Sequence, residues 1–336
     1  MKTLRTLILK HQLTTFFSFT YLFSWLLFLP IILIKDKQAY GIFALIGLFC
    51  PALLNIFISR ILEPVPIEKE KIKWRITFLF IWIIATIAFT LNVLTTTELE
   101  SPFAIVIYAI IALLPAYVVS SAFSKFHSVR KSLSSLVKPK GHFGYYLFAL
   151  LMAPTIKLIS VPISAIIGLD LISVPDNPGG MQLIILILTL FFYGFLFTGG
   201  LNEEVGWTGF VLPRLQKLFT PLTASIILWF FWILWHIPLQ IGGFWNPELE
   251  FFIRALIGTF FARFILTWLF NETKGGILTA MILHVSANVS FAVLPNSDVS
   301  MILEAILAIA IIIKRRMWEK LPSDSPAVFR MNHESI

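Results

Sequence analysis

Glu203 and Glu204 stand side by side behind an apolar run, His236 closes a second run, and His284 with Asn288 occupies a third. Hydrocarbon is a costly place for ionisable side chains, so such residues are candidates for function. Their chemistry is that of water activation. A carboxylate can take a proton from water, an imidazole can orient it, and an amide N–H can stabilise an oxyanion where bulk solvent is scarce.

The spacing says how the groups can meet. In Gly199-Gly200-Leu201-Asn202-Glu203-Glu204-Val205-Gly206-Trp207-Thr208-Gly209, a helix puts Glu203 on the face of Trp207 and Glu204 on that of Thr208. The two carboxylates then point about 100° apart, so one can face a cavity while a partner holds the other. The glycines permit close helix packing or a kink. His236 ends an aromatic stretch, Trp229-Phe230-Phe231-Trp232-Ile233-Leu234-Trp235-His236, and Pro238 is expected to loosen or end the helix just beyond it. His284 and Asn288, four apart, share a helical face and can donate into one small volume. Each motif alone has a plainer account: a span terminus, an interfacial aromatic belt, and packing between spans. Together they supply the residue types a hydrolytic site requires.

The elements that must carry these groups are membrane helices. With 58% hydrophobic and 13% charged residues, and a mean hydropathy of +0.87, the chain lies far outside the balance of a soluble domain. Ten apolar runs of roughly span length cover 13–34, 39–62, 76–94, 103–123, 145–167, 181–201, 221–240, 251–270, 277–294 and 299–313. The expected fold is an all-α polytopic membrane bundle of about ten spans with its catalytic core in the second half. The net charge of +8 comes from basic residues between runs, which set topology and meet anionic headgroups; nucleic acid is not implied. Basic segments (Lys2, Arg5 and Lys10; 60–75; Lys125 to Lys140; Lys314 to Arg316) alternate with acidic ones (Glu98 and Glu100; Asp170 and Asp176), which predicts cytoplasmic termini. No period of 20 to 50 residues repeats.

By content, 1–144 are spans without motifs, 145–313 hold the polar residues, and 314–336 form a cytoplasmic tail whose Ser, Pro and charge predict mobility from 322 on. Cys50, the sole cysteine, reads as a small buried hydrophobe, and the first run as a retained span rather than a signal peptide. Arg254 is placed to snorkel, while the more central Arg263 needs an acid or water. Glu272 and Lys274 read as a connector. No zinc-protease, Gly-x-Ser-x-Gly, Walker or dinucleotide signature occurs.

The three motifs resemble those of the CPBP family, the CAAX prenyl proteases and bacteriocin-processing or immunity proteins also called Abi: an acid-acid-x-x-x-Arg motif, a second ending in His, and a third of the form His-x-x-x-Asn. Gly206-Trp207, Gly209-Phe210, Leu212-Pro213-Arg214-Leu215-Gln216, Trp235-His236-Ile237-Pro238-Leu239 and Thr267-Trp268-Leu269-Phe270 also read like bacterial members, and the resemblance covers about 181–294. It implies hydrolysis of a peptide bond in a membrane-associated peptide or protein, in a bacterial cytoplasmic membrane. Glu203 would be the general base, His236 would orient the water, His284 and Asn288 would donate to the oxyanion, and Glu204 would support the geometry, with Thr208, Arg263 and Trp207 around them. No cofactor is favoured; the competing version holds zinc with His236, His284 and Glu203.

Two positions depart from the pattern. Trp232 replaces Phe, which reads as a mild swap. Thr208 replaces the motif Arg, so either Glu204 lacks its cation or Arg263 supplies one. A non-catalytic immunity or scaffold member and a transporter are the alternatives. The geometry also sets a puzzle of depth. His236, fifteen residues past Pro221, lies about 22 Å along its helix, which predicts that 205–218 form an amphipathic continuation protruding into the cytoplasm.

Overall fold

The computed structural model describes residues 2–34, 37–62, 70–96, 104–244 and 248–330, the side chains of 2–4 and 37–40 excepted. The acidic pair Glu98 and Glu100 and the stretches 63–69 and 331–336 lie outside the described residues. Long apolar runs leave the backbone no polar partner but itself, so they become helices. The helices are α1 (Lys2–Lys10), α2 (Gln12–Leu33), α3 (Lys37–Leu48), α4 (Cys50–Leu62), α5 (Lys71–Thr96), α6 (Ala104–Ile111), α7 (Leu113–Ser120), α8 (His127–Val137), α9 (Phe143–Ile167), α10 (Gly180–Phe197), α11 (Leu212–Leu218), α12 (Pro221–Ile241), α13 (Leu249–Glu272), α14 (Ile277–Val293) and α15 (Asp298–Lys314).

The protein is an all-α polytopic bundle, with no strand among the described residues and one isolated bridge, Ser173 to Asn296. Helices occupy all ten apolar runs. Seven stretches are long and apolar enough to cross a bilayer: Gln12–Leu33, Gly41–Leu62, Lys71–Thr96, Ala104–Phe123, Phe143–Ile167, Gly180–Leu218 and Pro221–Ile241. The other three expected spans, α13, α14 and α15, are not among these seven; α14 and α15 have 17 residues each.

Three expectations are corrected here. Segment 205–218 has no solvent-facing polar side over 205–216: Val205, Trp207, Phe210, Val211 and Leu212 are wholly buried, and the polar Thr208, Arg214 and Gln216 are buried too. The depth puzzle resolves through a hairpin, since Glu203 lies fifteen residues before Leu218 and His236 fifteen after Pro221. Both therefore sit about 22 Å from the same turn. Pro238 does not end α12, which runs on to Ile241. The described part of the tail is packed, with Ala327 wholly buried. Its Phe329 N–H donates to Pro213 O at 3.0 Å, and Gln216 Nε2 donates to Ala327 O at 3.0 Å. The Arg214 guanidinium is stacked between the rings of Phe210 and Phe329, 3.4 and 3.7 Å from their centroids.

The main apolar core runs through both halves of the chain, joining Phe16, Phe28, Phe49 and Ile58 to Trp207, Phe210, Leu228 and Trp235. A second core ties α9, α13, α14 and α15 through Ala149, Leu269, Leu283 and Ala308. The polar residues lie at the seam. Cys50 is buried, as expected. Arg254 is held by Glu250 and Asp298 rather than extended alone, and Glu272 accepts from Tyr145 Oη at 2.9 Å and Arg315 Nε at 3.2 Å.

Candidate active site

A break in the helix creates the site. After α10 ends at Phe197, Gly199 takes φ +100°, a conformation that side-chain-bearing residues rarely adopt. Its N–H donates to Asn202 Oδ1 at 2.9 Å, which stitches the break. The chain then resumes as two π-helical turns, Gly200–Glu204 and Trp207–Val211, before α11. Such turns are uncommon and concentrate at functional sites. Irregular backbone in an apolar setting needs outside partners, and α4 supplies them. Asn55 Nδ2 donates to Val205 O at 2.7 Å, and its Oδ1 accepts from Ser59 and Ser132 hydroxyls at 3.0 and 2.7 Å. At Gly206 a Cβ would lie 2.5 Å from a backbone carbon of Pro51, so α4 approaches there as closely as glycine allows.

The π-helical turns aim the two carboxylates at different neighbours. Glu203, 5% exposed, accepts the indole N–H of Trp232 on α12 through Oε2 at 2.7 Å. The same oxygen lies 3.8 Å from His236 Nε2, one turn further along α12. His236 Nδ1 lies 2.8 Å from Trp232 O. A carbonyl only accepts, so Nδ1 carries a proton, and Nε2 is the nitrogen turned towards Glu203. At 3.8 Å the two atoms are beyond direct hydrogen-bond reach, so a water shared by them would sit to one side of the line that joins them.

Glu204 is fully buried. Its Oε2 accepts the Thr208 hydroxyl and lies 3.5 Å from Arg263 Nη1 of α13, while Arg263 Nη1 also donates to Thr208 Oγ1 at 3.2 Å. On the other side, His284 Nδ1 of α14 donates to Glu204 Oε1 at 2.8 Å. Arg263 thus reaches the carboxylate that lacks its motif Arg. Next to this pair, a Cβ built on Gly199 would meet His284 Nε2 at 2.9 Å and Asn288 Nδ2 at 2.8 Å. Those two nitrogens converge on a backbone position that carries no side chain. Asn288 is on the exposed side of α14.

The structure therefore brings together Glu203, Glu204, Thr208, His236, Arg263 and His284, with Asn288 at the rim beside Gly199. Trp207 supports the turn from behind, wholly buried, with its ring 5.5 Å from those of Phe16 and Trp235. The Trp232 exchange is not mild, because its N–H makes a bond that a Phe could not. Sequence reading did not single out Asn55 or the role of Gly199. Their signals were an amide amid the apolar run 39–62 and a Gly-Gly pair breaking another. As for zinc, no group of three or more His, Cys, Asp or Glu side chains among the described residues could hold a metal ion.

Residues 184–290 match the family model described as type II CAAX prenyl endopeptidase Rce1-like. That match supports the likeness to the CPBP family of intramembrane proteases. The chain is similar to CAAX prenyl protease 2 of Methanococcus maripaludis, 27% identical over 183 residues, which cover 51% of this chain and 66% of that protein. The chain thus spans just under two thirds of the relative it matches. The CPBP match takes in every polar residue from Glu203 to Asn288, and the apolar helices make this an integral membrane protein. The braces from α2 and α4 lie outside the matched residues: Tyr21 Oη donates to Phe231 O, Trp25 Nε1 to Trp235 O at 3.2 Å, and Asn55 to Val205 O.

Proposed function

We propose that this protein is an intramembrane endopeptidase that hydrolyses a peptide bond in a membrane-associated peptide or protein with water activated by Glu203. The supporting observation is the 3.8 Å gap between Glu203 Oε2 and His236 Nε2, beside the paired nitrogens of His284 and Asn288 at Gly199. Water held beside this pair gives its proton to Glu203 while His236 holds its orientation. The hydroxide adds to the scissile carbonyl carbon, and the oxyanion points to Asn288 Nδ2 and His284 Nε2. Glu203 then returns the proton to the leaving amine nitrogen, and the C–N bond breaks.

Each such donor is worth about 3 to 4 kcal/mol of barrier. Since Nδ1 of His284 already donates to Glu204, Nε2 can donate only if the ring is the imidazolium. Glu204 balances that charge, and Arg263 and Thr208 hold Glu204 in place. The non-catalytic alternative rested on Thr208; with Arg263 at 3.5 Å from Glu204, that support is weakened. The mechanism routes no step through a metal. We place both termini in the cytoplasm from the distribution of basic residues, and the protein in a bacterial membrane from the likeness of the motifs alone.

The test is cleavage in liposomes of a farnesylated peptide with a CAAX end, its unprenylated twin, and a panel of hydrophobic peptides, read by mass spectrometry. Wild-type protein cleaves at least one of them, with or without chelator, and Glu203→Gln cleaves none. Equal rates for wild type and Glu203→Gln, or no cleavage by wild type, refute the proposal.

A further inference from the structure

Trp232 reaches four of the polar groups of the site. Its indole N–H donates to Glu203, its carbonyl accepts from His236, and its ring lies 4.3 Å from that of His236 and 6.0 Å from that of His284. The Arg263 guanidinium sits over the same ring at 5.8 Å from its centroid. Among the described residues, no other side chain donates to Glu203 at 3.0 Å or less, and none bonds to its Oε1.

We infer that Trp232 is a positioning residue that divides the labour between the two adjacent carboxylates; this rests on the hydrolytic reading above. Two neighbouring glutamates next to one arginine would ordinarily compete for it. The indole stands between Arg263 and Glu203, engaging the cation with its face and the carboxylate with its edge. The guanidinium is thereby directed to Glu204. Glu203 receives a neutral donor instead, which satisfies one oxygen of a buried carboxylate without clamping it in an ion pair. The indole also keeps Oε2 turned towards His236 Nε2, where the water is held. The backbone carbonyl of the same residue holds His236 Nδ1, so one residue sets both groups that hold the nucleophile.

The experiment replaces the N–H while keeping the ring. In reconstituted full-length protein, Trp232→Phe and Trp232 replaced by 3-benzothienylalanine both lower kcat about ten- to a hundredfold, the range set by loss of one hydrogen bond to a charged group. KM for the cleaved peptide is unchanged, and 7-azatryptophan, which keeps the N–H, retains kcat. A second readout needs no activity: in 1H–15N spectra of indole-labelled protein, the resonance missing from Trp232→Phe moves upfield in Glu203→Gln. Unchanged kcat in the benzothienyl variant, or equal losses for all three replacements, overturns the role of the N–H. Absence of cleavage by wild type instead overturns the hydrolytic reading, and the indole resonance still decides whether the contact exists.

Discussion

Replacing Arg263 by Met removes the guanidinium beside Glu204 and leaves a wholly buried carboxylate with the Thr208 hydroxyl and the His284 ring as its donors. Arg263 is 3% exposed and Glu204 is 0% exposed, so solvent does little to screen them. Two unit charges 3.5 Å apart attract by about 5 kcal/mol at an effective dielectric of about 20. That agrees with the roughly 3–5 kcal/mol found when one member of a buried pair is removed. The variant should therefore unfold at markedly lower temperature in detergent, and peptide cleavage should fall because His284 loses its fixed partner. Glu204→Gln should be damaged too, through the stranded guanidinium. The double variant removes both charges, and should be more stable than the sum of the single losses by about 3 kcal/mol or more. The assay is thermal unfolding of all four proteins, followed by cleavage rates in liposomes. Additive losses, or an Arg263→Met protein as stable and active as wild type, would refute the reasoning: Arg263 would then not be the cation of this site.

Gly199→Ala puts a methyl group within 3 Å of His284 Nε2 and Asn288 Nδ2, and cleavage should drop at least a hundredfold, as when an oxyanion donor is lost; activity near wild type would show that the carbonyl oxygen lies elsewhere. Asn288→Ala should lower kcat about 10²- to 10³-fold with stability preserved, since this side chain is exposed; a changed KM with kcat intact would make it a binding residue instead. Asn55→Leu strands the carbonyl of Val205 and the hydroxyls of Ser59 and Ser132. It should cost about 1–3 kcal/mol, measured by thermal unfolding, and a neutral result would mean that the π-helical turns do not depend on α4. Phe329→Ala opens one face of the Arg214 stack and should expose the tail to limited proteolysis before the transmembrane helices; an unchanged digestion pattern would refute that docking.

The periodicity of apolar runs fixed the helices, because in a bilayer length and composition leave the backbone few choices. The meeting of Glu203, Glu204, His236 and His284 was legible for a related reason: ionisable groups inside such runs must find one another or water. The partner of Glu204 was legible by elimination, Arg263 being the central cation without an evident acid. What the sequence concealed was backbone geometry. A π-helical turn differs from an α-helical one by one residue in its hydrogen bonding, and nothing in Asn202-Glu203-Glu204 declares it. The amphipathic reading of 205–218 failed because it was drawn from the depth of His236, whereas Thr208, Arg214 and Gln216 are covered by Arg263, Phe329 and Ala327.

These concealed features have a common logic. Two consecutive residues on a regular α-helix point about 100° apart, which separates Glu203 from Glu204 but leaves both exposed to whatever cation comes near. The chain resolves this by breaking α10 at Gly199, a position that also makes room for the nitrogens of His284 and Asn288. It resolves the competition for charge by setting an aromatic ring between Arg263 and Glu203. A short Thr208 is consistent with that arrangement, because it lets a guanidinium from α13 approach Glu204 from across the bundle. The loss of a motif arginine and the gain of an indole N–H thus read as one exchange, in which the cation comes from another helix and the tryptophan keeps it to one side. That account predicts non-additivity between Trp232→Phe and Arg263→Met, and independent effects would separate the two departures again.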